Sequence, residues 1–156
     1  MLSARLVRMI ESHAEELTRD LIQNLKAHAR TPAFRRLSDL ELHHRTYNVY
    51  KNLGAWLEGK PKEETQRHYE ELGERRFAEG IPLQEVIYAL ILSKKNVLIY
   101  ARTRGFEGSA VEIFGEQELV NRIDQFYDEA IYYTAVGYQK AMTESRAPVK
   151  AAARWP

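Results

Sequence analysis

Apolar residues in this 156-residue chain recur at three- and four-residue steps almost from end to end, and no stretch alternates with the period of two that marks a strand. Over 3–29, Leu6, Ile10, Leu17, Leu21 and Leu25 fall on one helix face, with Glu11, Glu15, Arg19 and Lys26 elsewhere. Pro32 stops that helix, because a residue preceding proline is pushed out of the helical region. Ser38 and Glu41 then form a capping box, Ser side chain to the N3 amide and Glu back to the cap amide. It starts a second helix running to about Glu58, with Leu40, His44, Tyr47, Tyr50, Leu53 and Leu57 in phase and Gly59 at its end. Pro61 opens a third, closed by Gly80, whose apolar content is thin: Tyr69, Leu72 and Phe77. Such a helix is expected on the outside, largely solvated.

The stretch 80–105 predicts the central helix. Pro82 suits the first turn, Gly105 the end, and Arg102 and Arg104 sit where cations meet the negative end of the helix dipole. From Val86 to Leu92 it is apolar all round, so its middle should be enclosed. A second capping box, Ser109 to Glu112, opens the longest helix, about 110–142, near 50 Å at 1.5 Å per residue, with Gly115 as a kink or frayed start. The predicted fold is all-α, a bundle of four to five main helices with a long C-terminal helix. Residues 1–143 form the helical domain, and 144–156, with a proline, small residues and charges, reads as a disordered tail or linker.

The last helix carries two apolar stripes. Leu119, Ile123, Phe126, Ala130, Tyr133 and Gly137 follow a coiled-coil-like seam. Beside it run Val120, Tyr127, Ile131, Thr134 and Tyr138. One stripe can face the bundle, and the other needs cover, either a wide core face or a second copy. The expectation is a homodimer through Ala130, Thr134, Gly137 and Tyr138, where small residues allow close backbone approach.

Composition narrows the function. A net charge of +1 gives no general attraction to nucleic acid or to an acidic membrane. The longest wholly apolar run, 86–92, is far short of the ~20 residues that span a bilayer, so no membrane insertion is expected. The N-terminus meets charge at once, and there is no cysteine; both fit a cytoplasmic setting. No catalytic constellation stands out, and no metal or cofactor is expected. Glu41 and His44 have the spacing of one half of a di-iron carboxylate site, but no second Glu-x-x-His exists. The histidines lack phosphorelay context, and a lone histidine is weak evidence for haem.

A ligand pocket between helices could be framed by His44, Tyr47, Tyr88 and Tyr133; ordinary core tyrosines with bonded hydroxyls are the plainer reading. Arg76, in phase with Tyr69 and Leu72, should point inward, either to form an ion pair with Glu85 that pins the turn or to bind an anion.

The run ERRFAEGIPLQEVIYALILSKKNVLIYARTRG, followed by LVNRIDQFYDEAIYYTAVGYQKA, resembles the N-terminal sensory domain of RsbT co-antagonist (RsbRD-type) proteins, a domain also found ahead of some bacterial histidine kinases. That resemblance implies an all-helical, dimer-forming, cytoplasmic signal-input module, distantly globin-like and without haem, with a role in stress response. It transfers no ligand residues. The expected function is therefore a non-enzymatic sensory or regulatory domain that passes a signal to a downstream protein or output domain. The alternative is a ligand- or haem-binding globin-like carrier.

Overall fold

The computed structural model describes residues 2–105 and 108–153, with side chains as far as Arg146. Among these the chain forms six α-helices and no strand: α1 (Ala4–Ser12), α2 (Ala14–Ala27), α3 (Asp39–Lys51), α4 (Lys62–Ala78), α5 (Leu83–Arg104) and α6 (Ala110–Ala153). A 3₁₀ turn, Pro32–Arg36, links α2 to α3, and a π turn, Ala55–Gly59, links α3 to α4. The all-α bundle with a long last helix is thus as expected.

Boundaries differ in three places. The first helix breaks at His13, where the His13 ring Nδ1 and the Ser12 hydroxyl both turn back to the Met9 carbonyl. Such local side-chain bonds compete with the helix ladder. The second ends in a π turn closed by the Lys60 N–H on the Ala55 carbonyl at 2.8 Å, which carries Trp56 and Leu57 into the core. The last continues past residue 142 to Ala153, running through Pro148. Residues 154–156 of the expected tail lie outside the described residues.

Two expectations about faces are corrected. Leu40 is 80% exposed and His44 is exposed, whereas Leu42, Val49, Tyr50 and Leu53 are buried. The inner face of α3 is therefore rotated from the one read off the sequence. More consequentially, α4 keeps an exposed outer face, with Glu63, Gln66, Arg67, Glu71 and Glu74, but its other face is closely packed. Its Tyr69, Leu72, Gly73 and Arg76 are buried, Tyr69 and Gly73 against α6. The two helices run in the same direction, since Tyr69 meets Phe126 and Phe77 meets Tyr138. Glycine, not apolar bulk, makes this contact. A Cβ on Gly73 would lie 2.1 Å from the Thr134 carbonyl oxygen, and one on Gly137 would lie 2.0 Å from that of Glu70. The glycine Cα–H groups thus face carbonyls across the crossing, contacts worth about 0.5–1 kcal/mol each.

That crossing overturns the expected pairing surface. Ala130, Thr134, Gly137 and Tyr138 are buried within the same chain, the last three against α4, and the Tyr138 hydroxyl donates to the Ile81 carbonyl at 2.7 Å. Both stripes of α6 are covered or half-covered within one subunit. The surplus apolar surface inferred from the sequence is taken up by a helix that looked too polar to cover it.

α5 lies against α6 in the opposite direction, tied by Lys94 Nζ to Asp124 at 3.0 Å. Its Val86, Ala89, Leu90 and Leu92 are buried, while Ile87 and Ile91 are half-buried, so enclosure is broad but incomplete. At the start of α6, the Ser3 N–H donates to the Gly115 carbonyl and Arg5 pairs with buried Glu116 at 2.7 Å. No helix among the described residues is long and apolar enough to cross a membrane.

Candidate functional site

Where α2 to α6 converge, side chains leave a cavity of about 60 Å³. Its walls are mostly apolar: Leu25 from α2, Phe34 from the 3₁₀ turn, Leu42 and Val49 from α3, Leu72 from α4, Val86 and Leu90 from α5. Helical spacing explains the set. Leu42 and Val49 flank Arg45 at steps of three and four, and Leu72 lies four residues before Arg76, so both arginines share the inner faces of their helices. Phe34 is held in place by its turn. The Thr31 hydroxyl donates to the Leu25 carbonyl at 2.7 Å, and the Glu85 carboxylate accepts the Ala33 N–H at 2.7 Å. Glu85 is thus occupied with the turn and is not the partner of Arg76 expected from the sequence.

Arg76 is only 3% exposed. Its guanidinium meets Glu79 at 2.7 Å and Glu41 at 3.1 Å, and stands 5.7 Å over the Phe34 ring. Glu41 also takes Arg45 at 2.8 Å and Arg75 at 3.4 Å. Three guanidinium groups therefore share two carboxylates. Only half of the expected capping box forms: Ser38 Oγ accepts the Glu41 N–H at 3.1 Å, while the Glu41 carboxylate serves the arginines. Burial alone would raise the Glu41 carboxyl, but the charge and hydrogen bonds of Arg76 and Arg45 outweigh it and hold it below its ordinary value.

Polar groups reach the cavity from the other side as well. Tyr69 and Tyr127 line it, and Tyr127 hydrogen-bonds Tyr50, whose hydroxyl donates to the Ser93 carbonyl at 2.8 Å. Burial raises all three phenols, so each remains a neutral hydroxyl. Outside the cavity lies a solvent-open cleft of about 900 Å³ between α3 and α4. Arg45 and His68 line both spaces. They form the partition between them.

His68 is half-buried, 4.9 Å from the Trp56 ring and 4.7 Å from that of Tyr69. Burial lowers its proton affinity, and the nearby charge of Arg45 lowers it further. A depressed folded-state pKa favours the fold where the imidazole is neutral. That stability is complete above the ordinary value of about 6.5 and declines as pH falls below it, because the unfolded chain takes the proton first. We expect His68→Gln to flatten the decline of stability between pH 6.5 and 5 by no more than about 1.4 kcal/mol per pH unit, measured by urea denaturation across that range. An unchanged slope would remove His68 from this role.

The residues expected to frame one pocket are not brought together. Arg76 lines the cavity and His44 lines the cleft. Tyr47 stacks on His43 with ring centroids 5.2 Å apart. Tyr88 sits with His28 and Arg30 at a separate hollow, and Tyr133 lines another with Trp56 and Arg122. Arg45, His68, Tyr69 and Tyr127 were missed as site residues, although Arg45 is spaced helically from Leu42 and Val49, His68 and Tyr69 from Leu72, and Tyr127 stands in the second apolar stripe of the last helix.

Haem does not fit this cavity. At about 60 Å³ it is far below the roughly 300–1,000 Å³ of sites for drug-sized molecules, and His68 is the one imidazole on its wall. No group of three or more potential metal ligands is found among the described residues. Comparison with protein-family models, with curated proteins and with solved structures finds no match for this chain.

Proposed function

We propose that this chain is a non-enzymatic sensory or regulatory helical domain, in which a small molecule in the interior cavity biases the packing of α4 against α6. The observation that carries the reading is the cavity itself. It is largely apolar and bounded by both helices of the glycine crossing through Leu72, Arg76 and Tyr127. Its volume exceeds the roughly 10–15 Å³ needed for one water, so it has room for a small occupant. An occupant that favours one spacing of α4 and α6 over another would shift a two-state equilibrium, and α6, at 44 residues, would carry that shift about 66 Å at 1.5 Å per residue.

The likeness of the quoted segments to the RsbRD-type input domain agrees with this reading and adds the bacterial signalling context. The reading does not depend on pairing through Ala130, Thr134, Gly137 and Tyr138, which lie inside the subunit. Its test is a fragment screen by amide NMR, using xenon and small neutral and charged organic molecules. Binders should shift the amides of Leu42, Leu72 and Leu90, and also those of α6 beyond Gly137. If no fragment binds, or if every shift stops at the cavity wall, the sensory reading fails.

A further inference from the structure

We infer that the cavity is built for a small aliphatic carboxylate, admitted from the α3–α4 cleft, with its head group held by Arg45 and His68. This rests on the reading of the cavity as a ligand site and names the ligand class.

The charge pattern is one-sided. The ionisable groups on the cavity wall are Arg45, Arg76, His68 and two neutral tyrosines, and no carboxylate lines it. Glu41 lines the outer cleft, on the far side of the partition. An ammonium ligand would meet guanidinium groups on the wall, their Glu41 and Glu79 counter-charges lying off it, whereas a carboxylate would meet donors. Arg76 is already engaged by Glu79 and Glu41. Arg45 differs: its Nε–H goes to Glu41 at 2.8 Å, and its Nη groups make no hydrogen bond among the described residues. A guanidinium has five N–H donors in a planar fork suited to a carboxylate. His68 likewise has ring contacts but no hydrogen bond among the described residues. The two side chains that separate cavity from cleft are thus the two with donors to spare.

Size limits the body of the ligand. An engineered apolar cavity of about 150 Å³ holds benzene. A cavity of about 60 Å³ suits fewer atoms, on the order of three to five carbons. Leu42, Val49, Leu72 and Leu90 would surround that chain while the head group stays at the partition.

The test compares butyrate, butyramide and butylamine at equal ionic strength, by amide NMR titration of the wild-type protein and of Arg45→Gln. Butyrate should bind saturably, with shifts at Leu42, Val49 and Leu72, at least about tenfold more tightly than butyramide, the least that a charge-assisted hydrogen bond contributes. Arg45→Gln should reduce that preference to near parity while leaving the chain folded, as its amide spectrum reports. If Arg45→Gln unfolds, His68→Gln serves in its place and should weaken butyrate more than butyramide. Equal binding of butyrate and butyramide would overturn the carboxylate inference and leave the cavity reading standing. Binding of neither, with xenon also excluded, would overturn both.

Discussion

Gly73→Ala and Gly137→Ala should each destabilise the fold by roughly 2 kcal/mol or more, despite alanine being the better helix former. Two effects oppose each other. Replacing a helical glycine with alanine gains about 1 kcal/mol of intrinsic propensity. Against it stands a contact that cannot relax through a side chain, because the new Cβ would lie 2.1 Å from the Thr134 carbonyl oxygen at position 73, and 2.0 Å from the Glu70 carbonyl oxygen at position 137. Both obstacles are backbone, so the helices must part; overpacking costs typically 1–3 kcal/mol and sometimes more, and contacts this short belong at or above the upper end, which leaves about 2 kcal/mol after the propensity gain. At this chain length 2 kcal/mol lowers the melting temperature by about 4–8 °C. Gly59→Ala is the control. A Cβ there meets only the Ala55 Cβ at 3.8 Å, and stability should stay within about 0.5 kcal/mol of wild type. The double variant should cost less than the sum of the singles, because once the helices have separated the second Cβ meets open space. Thermal denaturation of the four variants checks the set; unchanged stability in Gly73→Ala and Gly137→Ala would mean that the crossing is looser than described.

Arg76→Ala should cost about 3 kcal/mol, the lower end for breaking a buried ion pair. Arg76 is 3% exposed and bridges Glu41 to Glu79, so its removal leaves two carboxylates facing space the guanidinium filled. Glu41 keeps Arg45 and Arg75, which holds the loss to the lower end. Arg76→Lys should recover little, since an ammonium is a single point and cannot meet both carboxylates with the same fork. Glu41 adds a pH signature. Its folded-state pKa lies below the ordinary value, so its stabilisation is present above about 4.5 and is lost as pH falls through the lowered value. Glu41→Gln should therefore be less stable than wild type at pH 7, and the gap should narrow toward pH 3. Urea denaturation at both pH values checks this; a gap that widens in acid would contradict the assignment.

The helices were legible because their punctuation is strong. Pro32, Pro61, Pro82 and Gly105 stand at or beside observed ends, and Ser38 and Ser109 accept amides as N-caps should. What the sequence hid was which surface covers which. Apolar content made α4 look peripheral, yet two glycines allow backbone contact that no hydrophobicity pattern registers. The same small residues on α6, Ala130, Thr134 and Gly137, were correctly read as a site of close approach and wrongly given to a second copy. A close-packing motif states how near a partner comes, not which helix it is. The inward turn of Arg76 followed from its phase. Its carboxylates did not: Glu41 lies 35 positions earlier in the chain and already had a local explanation as a cap. Arg45 and His68 escaped notice because each is unremarkable alone, and only the folded chain sets them on one wall.

Everything above depends on α6 being covered by its own chain. Single-cysteine labelling tests that most directly, since the native sequence has no cysteine to interfere. Thr134→Cys places a thiol at a fully buried position of the crossing, and Tyr132→Cys places one where the native side chain is 63% exposed. With a thiol reagent under native conditions, Cys at 132 should react at once, and Cys at 134 should stay protected to the same degree from high to submicromolar protein concentration. Protection at 134 that fades on dilution would show that a second copy supplies the cover, and would contradict the account.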